Sequence, residues 1–123
     1  MGRSVLCVDD SASIRQMVSF ALKTAGYDAA TAVDGADALA QLETARPSMI
    51  ITDLNMPNVD GISMIKAVRD MPEHSGVPIV MLTTESDDMK KQEGRAAGAT
   101  GWLVKPFDQA KLLAVVKKLV GPA

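Results

Sequence analysis

Met49-Ile-Ile-Thr-Asp-Leu-Asn-Met-Pro57 is the stretch on which the fold turns. Met49 to Thr52 is a short, mostly apolar run with two isoleucines, and it reads as a strand buried on both faces. The run stops at Asp53, and Pro57 ends any regular ladder shortly after. One carboxylate therefore sits where a buried strand reaches the surface. Taken alone, Asp53 is a turn-initiating aspartate, a common way for a strand to end. The rest of the chain weakens that view, because it supplies more carboxylates, a hydroxyl and a lysine at equivalent strand ends.

Working outward, Ser4–Val8 is an apolar strand followed by Asp9 and Asp10. Ser11 is a good N-cap for a helix whose apolar residues, Ile14, Met17, Val18, Ala21, Leu22 and Ala25, follow amphipathic spacing. Gly26 stops it. Asp28–Ala32 is a weaker strand whose small side chains suit an edge position. Asp34-Gly35 reads as a turn, and residues 36–44 as a short helix with Leu39 and Leu42 inward.

Beyond the opening strand, residues 55–61 form a loop rich in Asn, Pro, Asp and Gly, and residues 62–71 a helix. The next loop holds the only histidine, His74, read as a solvated surface residue. Neither a metal cluster nor a Ser/His/Asp set surrounds it in the sequence. Residues 78–82 are the fourth strand, with Thr83 and Thr84 at its end. Ser86 can cap a helix over 87–97, in which Met89 is the only large apolar residue. A helix with so little to bury is expected to be among the easier elements to shift. Gly101–Val104 is the fifth strand, carrying Trp102, with Lys105 and Pro106 at its end. Asp108 caps a last helix with Leu112, Val115, Val116 and Leu119 on one face.

Five strands alternating with five helices predict an α/β fold, a parallel sheet covered on both faces. In such open sheets, sites form beyond the carboxyl ends of the strands. That rule gathers Asp9, Asp10, Asp53, Thr83 and Lys105.

Composition bounds the class. The 123 residues fit one domain over 1–123, and 47% apolar with 23% charged residues can bury a core. No apolar run approaches the ~20 residues that span a bilayer, so membrane insertion is not expected. The strand-like run begins too early to leave room for a signal peptide, and Leu6 spoils an N-myristoylation pattern at Gly2. The single cysteine, Cys7, excludes an internal disulfide and reads as a buried, inert thiol. A cytoplasmic setting follows as an expectation. Net charge is −2, with −4 in residues 1–61 and +2 in residues 62–123. That is too weak for a nucleic-acid binder.

Three carboxylates in one crevice repel one another, and a hard divalent cation is the simplest remedy. Mg²⁺ suits a few carboxylates, a carbonyl and a phosphate. Ca²⁺ lacks an EF-hand-like loop here, and Zn²⁺ lacks Cys or His ligands. Beside such a metal an aspartate can take a phosphoryl group as an acyl phosphate. Lys105 can neutralise charge and Thr83 can donate to a phosphoryl oxygen. Singly, Lys105 is a surface lysine before a proline and Thr83 a turn residue. All at once, at the strand ends of one sheet, those bland readings are improbable.

Val8-Asp-Asp10, Thr52-Asp-Leu-Asn-Met-Pro57 with Asp60-Gly61, Leu82-Thr-Thr84, Gly98-Ala99 and Lys105-Pro-Phe107 closely resemble the receiver domain of two-component response regulators. The likeness runs from Ser4 to about Leu119 and is greatest to the single-domain chemotaxis (CheY-like) type, without an output domain. The resemblance implies a flavodoxin-like, doubly wound sheet in the order 2-1-3-4-5. It implies Asp53 as phosphoacceptor from a histidine kinase or histidine phosphotransfer protein. It implies Mg²⁺ on Asp9, Asp10, Asp53 and the backbone carbonyl of Asn55, and phosphate contacts from Thr83 and Lys105. Thr83 and Trp102 take the switch positions; Asn55 and Glu85 take positions that tune dephosphorylation.

Trp102 departs from the family, which usually has Tyr, Phe or His there. An indole is larger and its N–H wants a partner when buried. It either swings only partly or stays outward as a partner contact. Lys90, Lys91, Trp102 and Lys111 then mark a partner surface, and a flagellar motor switch is one target. The protein on this reading is a monomeric signalling module, not an enzyme beyond its own phosphorylation and dephosphorylation. A phosphate shuttle or sink between histidine proteins is the alternative job. An aspartyl-phosphate phosphatase would need a second Asp where Asn55 stands. A flavodoxin-like carrier would need a phosphate loop where Asp9 and Asp10 stand.

Overall fold

The apolar runs of the sequence become five parallel strands: β1 (Ser4–Val8), β2 (Asp28–Ala32), β3 (Met49–Asp53), β4 (Ile79–Thr83) and β5 (Gly101–Val104). Between and after them lie α1 (Ala12–Thr24), α2 (Gly35–Leu42), α3 (Gly61–Arg69), α4 (Asp88–Ala97) and α5 (Gln109–Val120). The structure is a computed structural model, and it describes residues 3–54, 56, 58–84 and 88–123. The sheet order is β2-β1-β3-β4-β5, with every pair parallel. No helix among the described residues is long and apolar enough to cross a membrane.

The sheet divides the core. On one face, Val5, Cys7, Ile51 and Val80 pack with Val18 and Leu22 of α1 and Leu112 and Val116 of α5. On the other, Leu6, Val8, Ile50, Ile79 and Met81 pack with Leu42 of α2 and Met64, Ile65 and Val68 of α3. This two-sided burial is why β1, β3 and β4 read as unbroken apolar runs. β2 lies at the edge, and only its last residue, Ala32, is fully buried, in keeping with its small side chains.

Ser11 and Asp108 cap their helices as expected, accepting from Ile14 N–H at 3.4 Å and Lys111 N–H at 2.8 Å. Ser86 lies outside the described residues. Three expectations need correction. Asp34 is the N-cap of α2, accepting from the Asp37 N–H at 2.8 Å, so Gly35 is the first helical residue rather than part of a turn. Thr83 belongs to β4 because its carbonyl takes the Lys105 N–H at 2.6 Å and so extends the ladder. His74 is 2% exposed, not solvated. A 3₁₀ turn over Pro72–His74 tucks the ring inward, and Nε2 lies 2.9 Å from the carbonyl oxygen of Leu42 at the end of α2. A carbonyl only accepts, so Nε2 carries the proton. Helix-terminal carbonyls lack intrahelical donors, and here a side chain supplies one.

α4 buries only Gly94, as its composition foretold. The helix rides close over β4: a Cβ at Gly94 would overlap the Sδ of Met81. Its C-terminal end is tied down by Arg69 of α3, whose Nε and Nη2 donate to the Gly98 carbonyl at 2.9 and 2.7 Å. Its outer face leaves Met89 76% exposed.

Candidate functional site

Strand register assembles the site. Val8, Thr52, Met81 and Trp102 lie level across β1, β3, β4 and β5. The residues that follow, Asp9 and Asp53, therefore emerge side by side. The chain leaves β1 for β2 on one side while β3 lies on the other, so a crevice opens between these two strand ends. Thr83 and Lys105 arrive from β4 and from just beyond β5.

Asp9 is fully buried. Its Oδ1 accepts from the Ser11 N–H at 2.9 Å, and its carbonyl accepts from Arg15 Nη1 at 2.7 Å. Its Oδ2 has no hydrogen-bond partner among the described residues. Burial pushes the Asp9 carboxyl above its ordinary pKa. The Ser11 N–H pulls it down, Asp53 pushes it up again, and Lys105 pulls it down. Asp53 is half-buried, with Oδ1 accepting from the Leu54 N–H at 2.8 Å. Asp10 is exposed.

Lys105 stands between the two inner carboxylates. Its Nζ is 3.6 Å from Asp9 Oδ2 and 3.5 Å from Asp53 Oδ1. A cis peptide joins it to Pro106. One ammonium thus faces two carboxylates of a group of three, in which one oxygen from each of Asp9, Asp10 and Asp53 falls within 4.8 Å of the others. Thr83 is 1% exposed and its Oγ1 has no hydrogen-bond partner among the described residues. An unsatisfied buried polar group costs about 1–3 kcal/mol. Two such atoms at one crevice point to ligands that complete them. An oxygen-only donor set with excess negative charge fits a hard divalent cation such as Mg²⁺.

Asp9, Asp10, Asp53 and Lys105 are thus brought together, with Thr83 on the neighbouring strand end. Asn55 and Glu85 lie outside the described residues. Of the surface set, Trp102 is 37% exposed and Lys111 is exposed. Lys91 Nζ lies 5.5 Å from the Trp102 ring centroid and 3.6 Å from Asp88 Oδ1. Arg95 reaches the same ring at 5.6 Å. Trp102 is therefore outward and flanked by two cations, which draw on its π face. Lys90 lines a cleft of about 430 Å³ between α3 and α4 with Asp60, Ser63 and Glu93.

Two supporting contacts escaped the sequence. Arg15 grips the Asp9 carbonyl, and Asn58 Nδ2 donates to Asp34 Oδ2 at 2.7 Å. A polar residue in a Gly/Pro loop was the only hint of the second.

Comparison with known proteins agrees with this geometry. Residues 5–117 match the model of the response regulator receiver domain. The chemotaxis response regulator CheY4 of Vibrio cholerae is 52% identical, with a TM-score of 0.92, covering 97% of this chain and 99% of that one. The receiver domain of sensor histidine kinase PA1611 from Pseudomonas aeruginosa is 27% identical with a TM-score of 0.90, covering 98% and 99%; its structure has a magnesium ion coordinated in the active-site cleft. Transcriptional regulatory protein PrrA of Mycobacterium tuberculosis is 41% identical over 116 residues, 94% of this chain. The chain spans about half of that relative, 49% of its length. With the receiver motifs converging on one crevice of a five-stranded parallel sheet, the chain belongs to the response regulator receiver domain family.

Proposed function

We propose that this receiver takes a phosphoryl group on Asp53 from a phosphohistidine and thereby changes which protein its α4–β5–α5 side binds, in a chemotaxis-type pathway. The convergence of the Asp9 and Asp53 carboxylates on Lys105 Nζ, with Asp9 Oδ2 ion-paired but without a hydrogen bond, carries this reading. A carboxylate oxygen of Asp53 attacks phosphorus, and the P–N bond to the donor imidazole breaks. The imidazole leaves with the bond's electron pair and takes a proton from water. Lys105 offsets charge on the phosphoryl oxygens, and the Thr83 hydroxyl donates to one of them. Asp9, Asp10, Asp53 and the Asn55 carbonyl would hold Mg²⁺, which would supply the further positive charge that phosphoryl transfer needs.

Once Asp53 is modified, Thr83 gains the partner it lacks. A shift of Thr83 bears on α4, whose one fully buried residue, Gly94, lies against Met81 of β4, and on Trp102, level with Met81 on the neighbouring strand. Lys90, Lys91, Trp102 and Lys111 then present an altered surface to a target such as a flagellar motor switch. The likeness to CheY4 over 97% of the chain favours chemotaxis over a phosphate shuttle.

A small acyl phosphate with Mg²⁺ is expected to change Trp102 fluorescence, and Asp53→Asn to abolish the response. An unchanged response in that variant would remove Asp53 as acceptor. Capture with a beryllofluoride-treated bait separates the two jobs: recovery of histidine phosphotransfer proteins alone would overturn the chemotaxis output.

A further inference from the structure

Asp53 is followed by a loop that must return to start α3 at Gly61. The described parts of that loop are held at three places. Near its start, the Leu54 N–H donates to Asp53 Oδ1 and the Leu54 carbonyl accepts from the Gly61 N–H at 3.0 Å, which closes the loop at its base. At its end, Asp60 caps α3 through the Ser63 N–H at 2.8 Å. The third hold comes from a different part of the chain. Asn58, at φ +67°, reaches across to Asp34 Oδ2 at 2.7 Å, 24 residues away.

Asp34 is built to receive it. Its residue is 8% exposed, and its two oxygens are divided between two tasks. Oδ1 caps α2 through the Asp37 N–H at 2.8 Å, and Oδ2 takes the Asn58 amide. The Asp37 N–H first, and the Asn58 amide second, hold this carboxyl below the usual carboxylate range. The carboxylate is therefore ionised at neutral pH, and a bond to a charged acceptor is stronger than a neutral one. Beside it the backbone of Val59 lies so close to Gly35 that a Cβ there would sit 2.5 Å from the Val59 carbonyl oxygen. The loop is thus seated against the N-terminus of α2 by a polar tie and a close backbone approach together.

We infer that Asp34 and Asn58 are positioning residues for the phosphorylation site: their bond braces the loop that sets the orientation of the Asp53 carboxylate. They touch no reacting atom. Their effect passes through the loop base, where the Leu54 N–H holds the same Asp53 oxygen that faces Lys105. A loose loop lets that carboxylate turn and so weakens its share of a metal site. The inference rests on the proposed role of Asp53 and Mg²⁺.

A simpler account of Asn58 is that Asn tolerates positive φ and nothing more. A simpler account of Asp34 is that it caps α2 and nothing more. Two substitutions separate the accounts. Asn58→Gly keeps the backbone conformation and removes the amide. Asp34→Ser keeps an N-cap oxygen for Asp37 and is too short to serve Asn58.

Two measurements follow on wild type, both single variants and the double variant. The first is hydrogen exchange of the Leu54 and Gly61 amides in metal-free protein. The second is a titration with Mg²⁺ alone, followed by calorimetry. Exchange at both amides is expected to speed up in each variant. The Mg²⁺ dissociation constant is expected to rise roughly tenfold, the lower end of what losing a supporting partner of a metal ligand costs. The double variant is expected to match the singles, because both remove one bond. Wild-type exchange and Mg²⁺ affinity in Asn58→Gly would overturn the inference, even if Asp34→Ser fails to fold. If instead wild type binds no Mg²⁺, or Asp53→Asn binds it equally well, the proposed role of Asp53 fails; the exchange data still decide whether the brace exists.

Discussion

Asp9→Asn is expected to make the metal-free protein more stable while removing its response to Mg²⁺. The magnitude follows from three contacts. Wild-type Asp9 is attracted by Lys105 Nζ at 3.6 Å, worth about 4–5 kcal/mol at an effective dielectric of about 20. It is repelled by Asp53, whose carboxylate comes within 4.8 Å, by about 3–4 kcal/mol on the same basis. These terms nearly cancel, and exposed Asp10 adds a smaller, solvent-screened repulsion. What remains is the cost of keeping a charge out of water, several kcal/mol for a buried ion. The asparagine keeps the oxygen that accepts from Ser11. It places an amide where Oδ2 stood, and that unsatisfied donor gives back about 1–3 kcal/mol. The net gain is about 1–2 kcal/mol. At roughly 4 °C per kcal/mol for a chain of this size, Tm rises by about 4–8 °C.

The pH dependence carries its own sign. The folded-state pKa of Asp9 lies above its ordinary value of 3.8, so the folded protein holds this proton more tightly than the unfolded chain does. Stability from protonation is fully present below 3.8 and is lost as pH rises through the raised folded value. The advantage of the asparagine is therefore greatest at neutral pH and shrinks on acidification. Thermal melts in a chelator across a pH series, repeated with excess Mg²⁺, test this. A variant that melts below wild type at neutral pH, or a gap that widens on acidification, would refute the reasoning.

Gly94→Ala sets two effects against each other. Alanine gains about 1 kcal/mol of helix propensity, but its methyl overlaps Met81 Sδ, and overpacking costs about 1–3 kcal/mol. Net destabilisation is expected by urea titration; Met81→Ala leaves a core cavity and costs about 2–5 kcal/mol by itself, so relief of the overlap is expected as a double-variant loss smaller than the sum of the two single losses. His74→Leu is expected to lower stability by about 1–3 kcal/mol, because it leaves the buried Leu42 carbonyl without its donor. Unchanged melting would mean that carbonyl finds water instead.

Much of the site was legible because it follows from covalent order. An aspartate directly after an apolar run of strand length must emerge at that strand's carboxyl end. Parallel pairing then brings all such ends to one edge. Asp9, Asp53 and Lys105 needed nothing more to be grouped. The poor anchoring of α4 was likewise visible, since a helix whose only large apolar residue is Met89 has little to bury.

His74 was misjudged for the opposite reason. A histidine among prolines and glycines looks solvated, and only the placement of α2 above it supplies the Leu42 carbonyl that draws it in. The same holds for Asn58 with Asp34, for Met81 beneath Gly94, and for Lys91 and Arg95 beside Trp102.

By itself the sequence determined the alternation of strands and helices, the two-sided core and the residues at the strand ends. Each of these is set by neighbours a few positions away, through periodicity and caps. Tertiary structure alone decided the 3.5 and 3.6 Å distances at Lys105, the orphaned oxygens of Asp9 and Thr83, and the brace behind Asp53. Those depend on how far apart separate elements pack, to within an ångström, and periodicity along a chain carries no such distance.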